Sequence, residues 1–224
     1  MSPLAIRLTP AIVGRGRPDH VALTFDDGPD PASTPQFLRV LDDLGWKATF
    51  FMLGSEARRA PGLVGEVVAE GHEIAVHGDE HKNMLRRGPK AATDDIRRCR
   101  DTLAELGGVE PIWFRPPFGV LSLGSYRGAR RLGLTTVLWT TWGRDWRARA
   151  TPESIAADVA RRYVAGGTVL LHDTDGESFP GSWRKTLDAL PLLAEVFADR
   201  DLEVGPLVDH QVGRRSAPTA ANDR

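Results

Sequence analysis

The chain carries one cysteine among its 224 residues, which excludes an internal disulfide and a cysteine-rich zinc framework. It also has almost no net charge. Its 29 basic and 30 acidic residues leave a formal charge of −1, so no global field points to nucleic acid or a membrane surface as partner. Long apolar runs are missing, and none approaches membrane-spanning length. Between Met1 and Pro18, Arg7, Pro10, Arg15 and Arg17 break up any apolar core of signal-peptide length. The chain as given is therefore expected to be soluble and cytoplasmic. No composition shift, long linker or repeat divides it. The lone thiol, Cys99, sits in a helical pattern and reads as structural; Arg97, Arg98 and Arg100 around it read as one solvated helix face.

What is present is an ordinary globular composition, 41% hydrophobic and 26% charged, in which short apolar runs alternate with longer amphipathic stretches. The pattern predicts strands at Val21–Phe25, Ala48–Met52, Glu73–Val76, Ile112–Phe114, Thr135–Thr140, Thr168–Leu171 and Glu203–Leu207. It predicts helices at Pro35–Leu44, Pro61–Glu70, Lys90–Leu106, Ser122–Leu132, Pro152–Tyr163 and Trp183–Phe197. Thr151-Pro152-Glu153 supplies an N-cap, a first-turn proline and a first-turn acid. Gly45, Gly71, Gly107 and Gly133 follow helix ends. Such alternation implies parallel strands joined by crossover helices, about seven units that close into a barrel or leave an open sheet. One domain is expected over 19–212, after an N-terminal extension over 1–18 and before a polar, disordered tail over 213–224.

Polar residues recur just after the predicted strands, the end at which active sites assemble in such folds. Asp26-Asp27 ends the first strand at a Gly28-Pro29 turn. Two carboxylates there are costly unless compensated, and a metal ion would compensate them while leaving one free as a base. The alternative is a solvated Asp-Gly turn. His77 and His81, four residues apart, share a face if they lie on a helical turn, and both rings then reach one metal. With Asp27 they form a three-ligand set with open positions, as a catalytic rather than a structural metal requires. His72 precedes its strand and reads as structural. Arg115 opens Arg-Pro-Pro-Phe-Gly and faces two acids, one of which it can hold. His172 ends an apolar run near Asp145 and is either a satisfied core histidine or an oriented acid–base group.

Taken together, Thr24–Pro29, His77–His81, Arg115–Gly119, Asp145-Trp146 and Leu170–Asp173 resemble, in order, the five motifs of the polysaccharide deacetylase family (carbohydrate esterase family 4, the NodB homology domain). The resemblance implies a deformed (β/α) barrel that hydrolyses an N-acetyl group on an amino sugar, or an O-acetyl ester. It implies that Asp27, His77 and His81 bind a divalent metal, zinc, with cobalt or nickel as substitutes. Asp26 would be the base, oriented by Arg115. His172 would protonate the leaving amine, tuned by Asp145, and the backbone N–H of Phe118 would stabilise the oxyanion. Pro117, Phe118, Gly119, Trp142, Trp146 and Trp183 are candidates for substrate contact.

Two positions depart from the family pattern. Gly78 stands where Ser or Thr is usual, and loss of that hydroxyl is expected to loosen the His77/His81 loop. Trp142 stands near the first Asp of the fourth motif. Trp142 and Trp183 either stack on sugar faces or pack the barrel wall, whereas Trp46, Trp113 and Trp139 read as core. The expected partner is an acetylated sugar or a small amide. Two alternatives stay open: a related carbon–nitrogen hydrolase acting on a non-sugar amide or cyclic imide, and a degenerate glycan-binding protein.

Overall fold

The computed structural model describes residue 9 and residues 11–213. The predicted tail beyond Gly213 and residues 1–8 and 10 of the predicted extension lie outside the described residues. Eight strands form one sheet: β1 (His20–Asp26), β2 (Thr49–Leu53), β3 (Glu73–Gly78), β4 (Trp113–Phe114), β5 (Thr135–Thr136), β6 (Thr141–Trp142), β7 (Thr168–His172) and β8 (Glu203–Gly205). The order is β5-β4-β3-β2-β1-β7-β6, with β8 added along the first half of β1. Every pairing is parallel. The crossovers are α1 (Thr34–Asp43), α2 (Gly54–Arg59), α3 (Pro61–Ala69), α4 (Pro89–Gly107), α5 (Leu123–Arg131), α6 (Pro152–Arg162) and α7 (Ser182–Ala198). Among the described residues no helix is long and apolar enough to cross a membrane.

Strand alternation sorts the side chains into two cores. Val21, Leu23 and Phe25 of β1 join Phe50, Met52, Ile74, Val76, Val169 and Leu171 beneath the helices. Phe25 meets Phe37 edge-on at 5.1 Å and stacks on Phe50 at 5.2 Å. Full burial of one such side chain contributes about 1.5–3 kcal/mol. The in-between residue Ala22 belongs instead to a small core inside the curl, with Phe51, Ala75, Trp113, Val137 and Leu207. Thr24 and Asp26 are in phase with Ala22 and therefore face inward. The bottom of the curl is polar: Glu73 accepts from the Thr49 hydroxyl at 2.6 Å and Trp113 Nε1 at 2.7 Å. His20 and His210 meet there, Nδ1 to Nδ1, at 2.8 Å. His72, nearby in sequence to Glu73, accepts the Ala48 N–H at Nδ1. Burial pushes all three histidines down to about 4.

Two elements differ from expectation in an informative way. The predicted strand Thr135–Thr140 breaks in two. Its start pairs with β4, and Thr141–Trp142 beyond its end pairs with β7. The segment between crosses the gap in the curl, where the Leu138 N–H reaches the Ile12 carbonyl at 2.6 Å. Helix α2 was not anticipated because it is short and opens on glycine, a poor helix former. Gly54 is needed there: a Cβ would meet Asp79 Oδ1 at 2.4 Å. Thr151 caps α6 as expected, in a reciprocal pair with Ser154.

Candidate active site

The site is built on the C-terminal ends of the strands. Period-two alternation places Asp26 inside with Thr24. A strand would send Asp27 to the opposite face, but Asp27 adopts φ 81, which turns the chain so that both carboxylates line one pocket. A left-handed backbone at a non-glycine residue costs on the order of 1–3 kcal/mol and persists only where its surroundings enforce it. Phe118, which lines the same pocket, is held at φ 60.

Arg115 is fully buried. One guanidinium nitrogen, Nη1, donates to Asp26 Oδ1 at 2.6 Å and to Thr24 Oγ1 at 2.8 Å; the other, Nη2, donates to the Leu138 carbonyl at 2.9 Å. The guanidinium carbon lies 3.9 Å above the Phe51 ring. Burial lowers the affinity of Arg115 for its proton, and the Asp26 charge opposes that loss. Only Oδ1 of Asp26 is engaged by Arg115; Oδ2 lies 3.8 Å from His77 Nε2.

Asp27, His77 and His81 bring their ligand atoms within 4.8 Å of one another. Asp27 Oδ1 is 3.3 Å from His77 Nε2 and 3.4 Å from His81 Nε2. It is buried and has no hydrogen bond among the described residues. His77 is oriented through Nδ1, 2.9 Å from the Arg115 carbonyl. One carboxylate oxygen and two imidazole nitrogens, converging on a buried acceptor without a donor, fit a divalent cation. Burial alone would raise the Asp27 pKa, but the close approach of His77 and the charges of His172, His77 and His81 hold it well below the usual range.

The loop carrying the two histidines is not a helical turn. His77 still belongs to β3, Gly78 turns the chain at φ 114, and His81 lies in the following bend. The ligand spacing thus comes from an open loop. Its clamp is acidic: the Asp79 N–H donates to Asp95 Oδ2 at 3.0 Å, and Asp79 is itself paired with Arg58 at 2.7 Å and Arg98 at 3.2 Å. Arg98 is accordingly not part of a merely solvated face. Gly78 has a conformational reason as well, since a Cβ there would sit 3.1 Å from Asp95 Oδ2.

On the other side, His172 Nδ1 is 3.0 Å from Asp145 Oδ1. Asp145 Oδ2 accepts the His172 backbone N–H at 2.7 Å and the Thr186 hydroxyl at 3.0 Å. Burial alone would lower the His172 pKa, but Asp145, and behind it Asp27 and Asp26, push it up to about 10.

These groups open into a cavity of about 270 Å³ with an aromatic wall of Phe118, Trp139, Trp142 and Trp146. Trp142 packs between Trp139 at 5.6 Å and Trp146 at 5.3 Å. Gly119 also lines it, close enough to Trp139 that a Cβ would meet the ring at 2.4 Å. Trp139, read from sequence as core, therefore does both. Two candidates for substrate contact fall away. Trp183 is buried in the helix-side core with Arg184 over its ring at 4.2 Å. Pro117 is buried and outside the cavity lining. Sequence reasoning also missed several groups. Thr186, Glu177 and Ser178 carry no local signal and are brought in by tertiary packing.

The family model described as Polysaccharide deacetylase matches residues 14–137. A peptidoglycan-N-acetylglucosamine deacetylase of Bacillus cereus is 41% identical over 155 residues, covering 68% of this chain and 72% of that protein. A chitooligosaccharide deacetylase of a Bradyrhizobium species is 34% identical over 194 residues, covering 84% and 88%. Among solved structures, a family 4 acetyl xylan esterase from Clostridium thermocellum in complex with a cobalt ion superposes with a TM-score of 0.76 at 29% identity, over 85% of this chain and 89% of that one.

Proposed function

The chain belongs to the polysaccharide deacetylase family, and we propose that it is a metal-dependent hydrolase that removes the acetyl group from N-acetylated amino sugars of a chitooligosaccharide or peptidoglycan type. One observation carries this reading: a three-ligand cluster sits in one cavity between an Arg-held carboxylate and an Asp-held imidazole. Asp27, His77 and His81 would hold the divalent cation, with zinc the first choice and cobalt or nickel as substitutes. Bound there, the ion would polarise the acetyl carbonyl and acidify a water.

The rest is done by the chain's own residues. Asp26, fixed at Oδ1 by Arg115, takes the proton of the attacking water at its other oxygen. The Phe118 backbone N–H, on the cavity wall, stabilises the developing oxyanion. His172, kept protonated by Asp145, gives the Nε2 proton to the departing amine. Trp142 and Trp146 supply faces on which a sugar ring can stack.

The test is acetate release from chitooligosaccharides by the protein loaded with Zn2+ or Co2+. No release under either metal, with the metal bound, would refute it. A second reading, hydrolysis of a compact non-sugar amide, draws on the packed, largely apolar Trp139–Trp142–Trp146 wall of the cavity; a panel of such amides separates the two.

A further inference from the structure

The two histidines of the ligand cluster are oriented by different means. His77 has a backbone carbonyl at its Nδ1. His81 has none: its Nδ1 is buried and makes no aligned hydrogen bond among the described residues. The nearest carboxylate is Glu177, whose Oε2 lies 3.3 Å from that nitrogen. The Phe118 ring, 4.2 Å away and edge-on, restrains the imidazole plane but offers no acceptor. A ligating imidazole must present a lone pair at one nitrogen, so its proton has to sit on the other, and an acceptor there fixes the tautomer.

Glu177 reaches His81 from a loop built to hold it. Between β7 and α7 the Ser178 N–H donates to the Asp175 carbonyl at 3.0 Å, and the Gly181 N–H donates to the Asp175 carboxylate. The Phe179 N–H ties the same loop to the Trp146 carbonyl at 3.2 Å. The backbone is thus pinned, while the Glu177 side chain, 45% exposed, keeps the freedom to rotate into line with the His81 N–H.

We propose that Glu177 is a positioning residue for His81: its carboxylate accepts the Nδ1–H, leaves Nε2 as the lone-pair donor facing Asp27 Oδ1, and so sets how tightly the cluster holds a divalent cation. The inference rests on the reading of Asp27, His77 and His81 as the cation site. Because the loop also holds Trp146, the wall of the substrate cavity and the orientation of a metal ligand are tied to one segment.

Calorimetric titration of the metal-free protein with Co2+ tests it, with the visible absorption of the bound ion as a second readout. Glu177→Ala is expected to weaken Co2+ binding about 10–100-fold and to alter the cobalt spectrum, with thermal unfolding of the metal-free protein unchanged. Glu177→Gln keeps an accepting oxygen and is expected to recover part of the loss. The proposal is overturned if Glu177→Ala binds Co2+ as the parent does, or if Glu177→Gln is no better than Glu177→Ala. A parent protein that binds no Co2+ brings down the cation-site reading itself, and this shows before any substitution is made.

Discussion

Arg115 Nη1 donates to Asp26 Oδ1 at 2.6 Å across 89 residues of chain, with both side chains buried. The neighbouring carboxylate of Asp27 faces the imidazoles instead. Adjacent residues of one type thus have separate surroundings, and their substitutions should separate too.

Asp26→Asn is expected to lower the rate of deacetylation about 10²–10⁴-fold with Co2+ affinity retained. Asp27→Asn should instead weaken Co2+ binding. Rates and calorimetric titrations on both variants check this, and equal metal loss in the two would contradict the division.

Arg115→Met leaves a buried carboxylate without its partner, a change that typically costs about 3–5 kcal/mol. For a domain of this size each kcal/mol lowers Tm by about 2–4 °C. Adding Asp26→Asn should restore much of the stability and none of the activity, and thermal melts of the single and double variants decide it.

His172 is expected to stabilise the metal-free protein at low pH. Its pKa is raised from 6.5 to about 10, so its contribution is complete below 6.5 and is lost as pH climbs towards 10, at up to about 1.4 kcal/mol per unit. Urea unfolding of parent and His172→Gln between pH 6 and 10 should converge at the alkaline end. Asp145→Asn should lower the His172 pKa, read directly by NMR titration.

The bottom of the curl responds oppositely. His20, His72 and His210 are pushed from 6.5 down to about 4. They leave stability intact above 6.5 and erode it as pH falls towards 4, because the unfolded chain then binds the protons they refuse. Urea midpoints at pH 7 and pH 5 should differ, and by less in a His210→Phe variant.

Gly78→Ser would restore the residue usual in the family, yet it is expected to destabilise. The φ of 114 is costly for any side chain, and the new Cβ would sit 3.1 Å from Asp95 Oδ2. Weaker Co2+ binding together with a lower Tm would follow, whereas tighter binding would favour the missing-hydroxyl account.

Residues that obey strand periodicity were readable in advance. The apolar alternation of Val21, Leu23 and Phe25 gives β1 its two faces, and the punctuation at Gly28-Pro29 marks where it ends. What was not readable depends on departures from local rules. The histidine pair looked helical because spacing alone cannot reveal the turn at Gly78. Whether Trp183 stacked on a sugar or packed the wall stayed open in the sequence because no local pattern distinguishes a tryptophan covered by Arg184 from an open one. Thr186 and Glu177 reach the site from the far end of the chain and have no signature before the helices pack.

Asp26 stands directly opposite His172 in the parallel register of β1 and β7. The candidate base and acid are therefore rungs of one ladder, about 4.8 Å apart at the backbone, as neighbouring strands must be. Loops above them can lengthen, tighten or change their aromatic lining to suit a different acyl group or glycan. The interval between proton acceptor and proton donor belongs to the hydrogen-bonded frame, so specificity can drift in this architecture without retuning the proton chemistry.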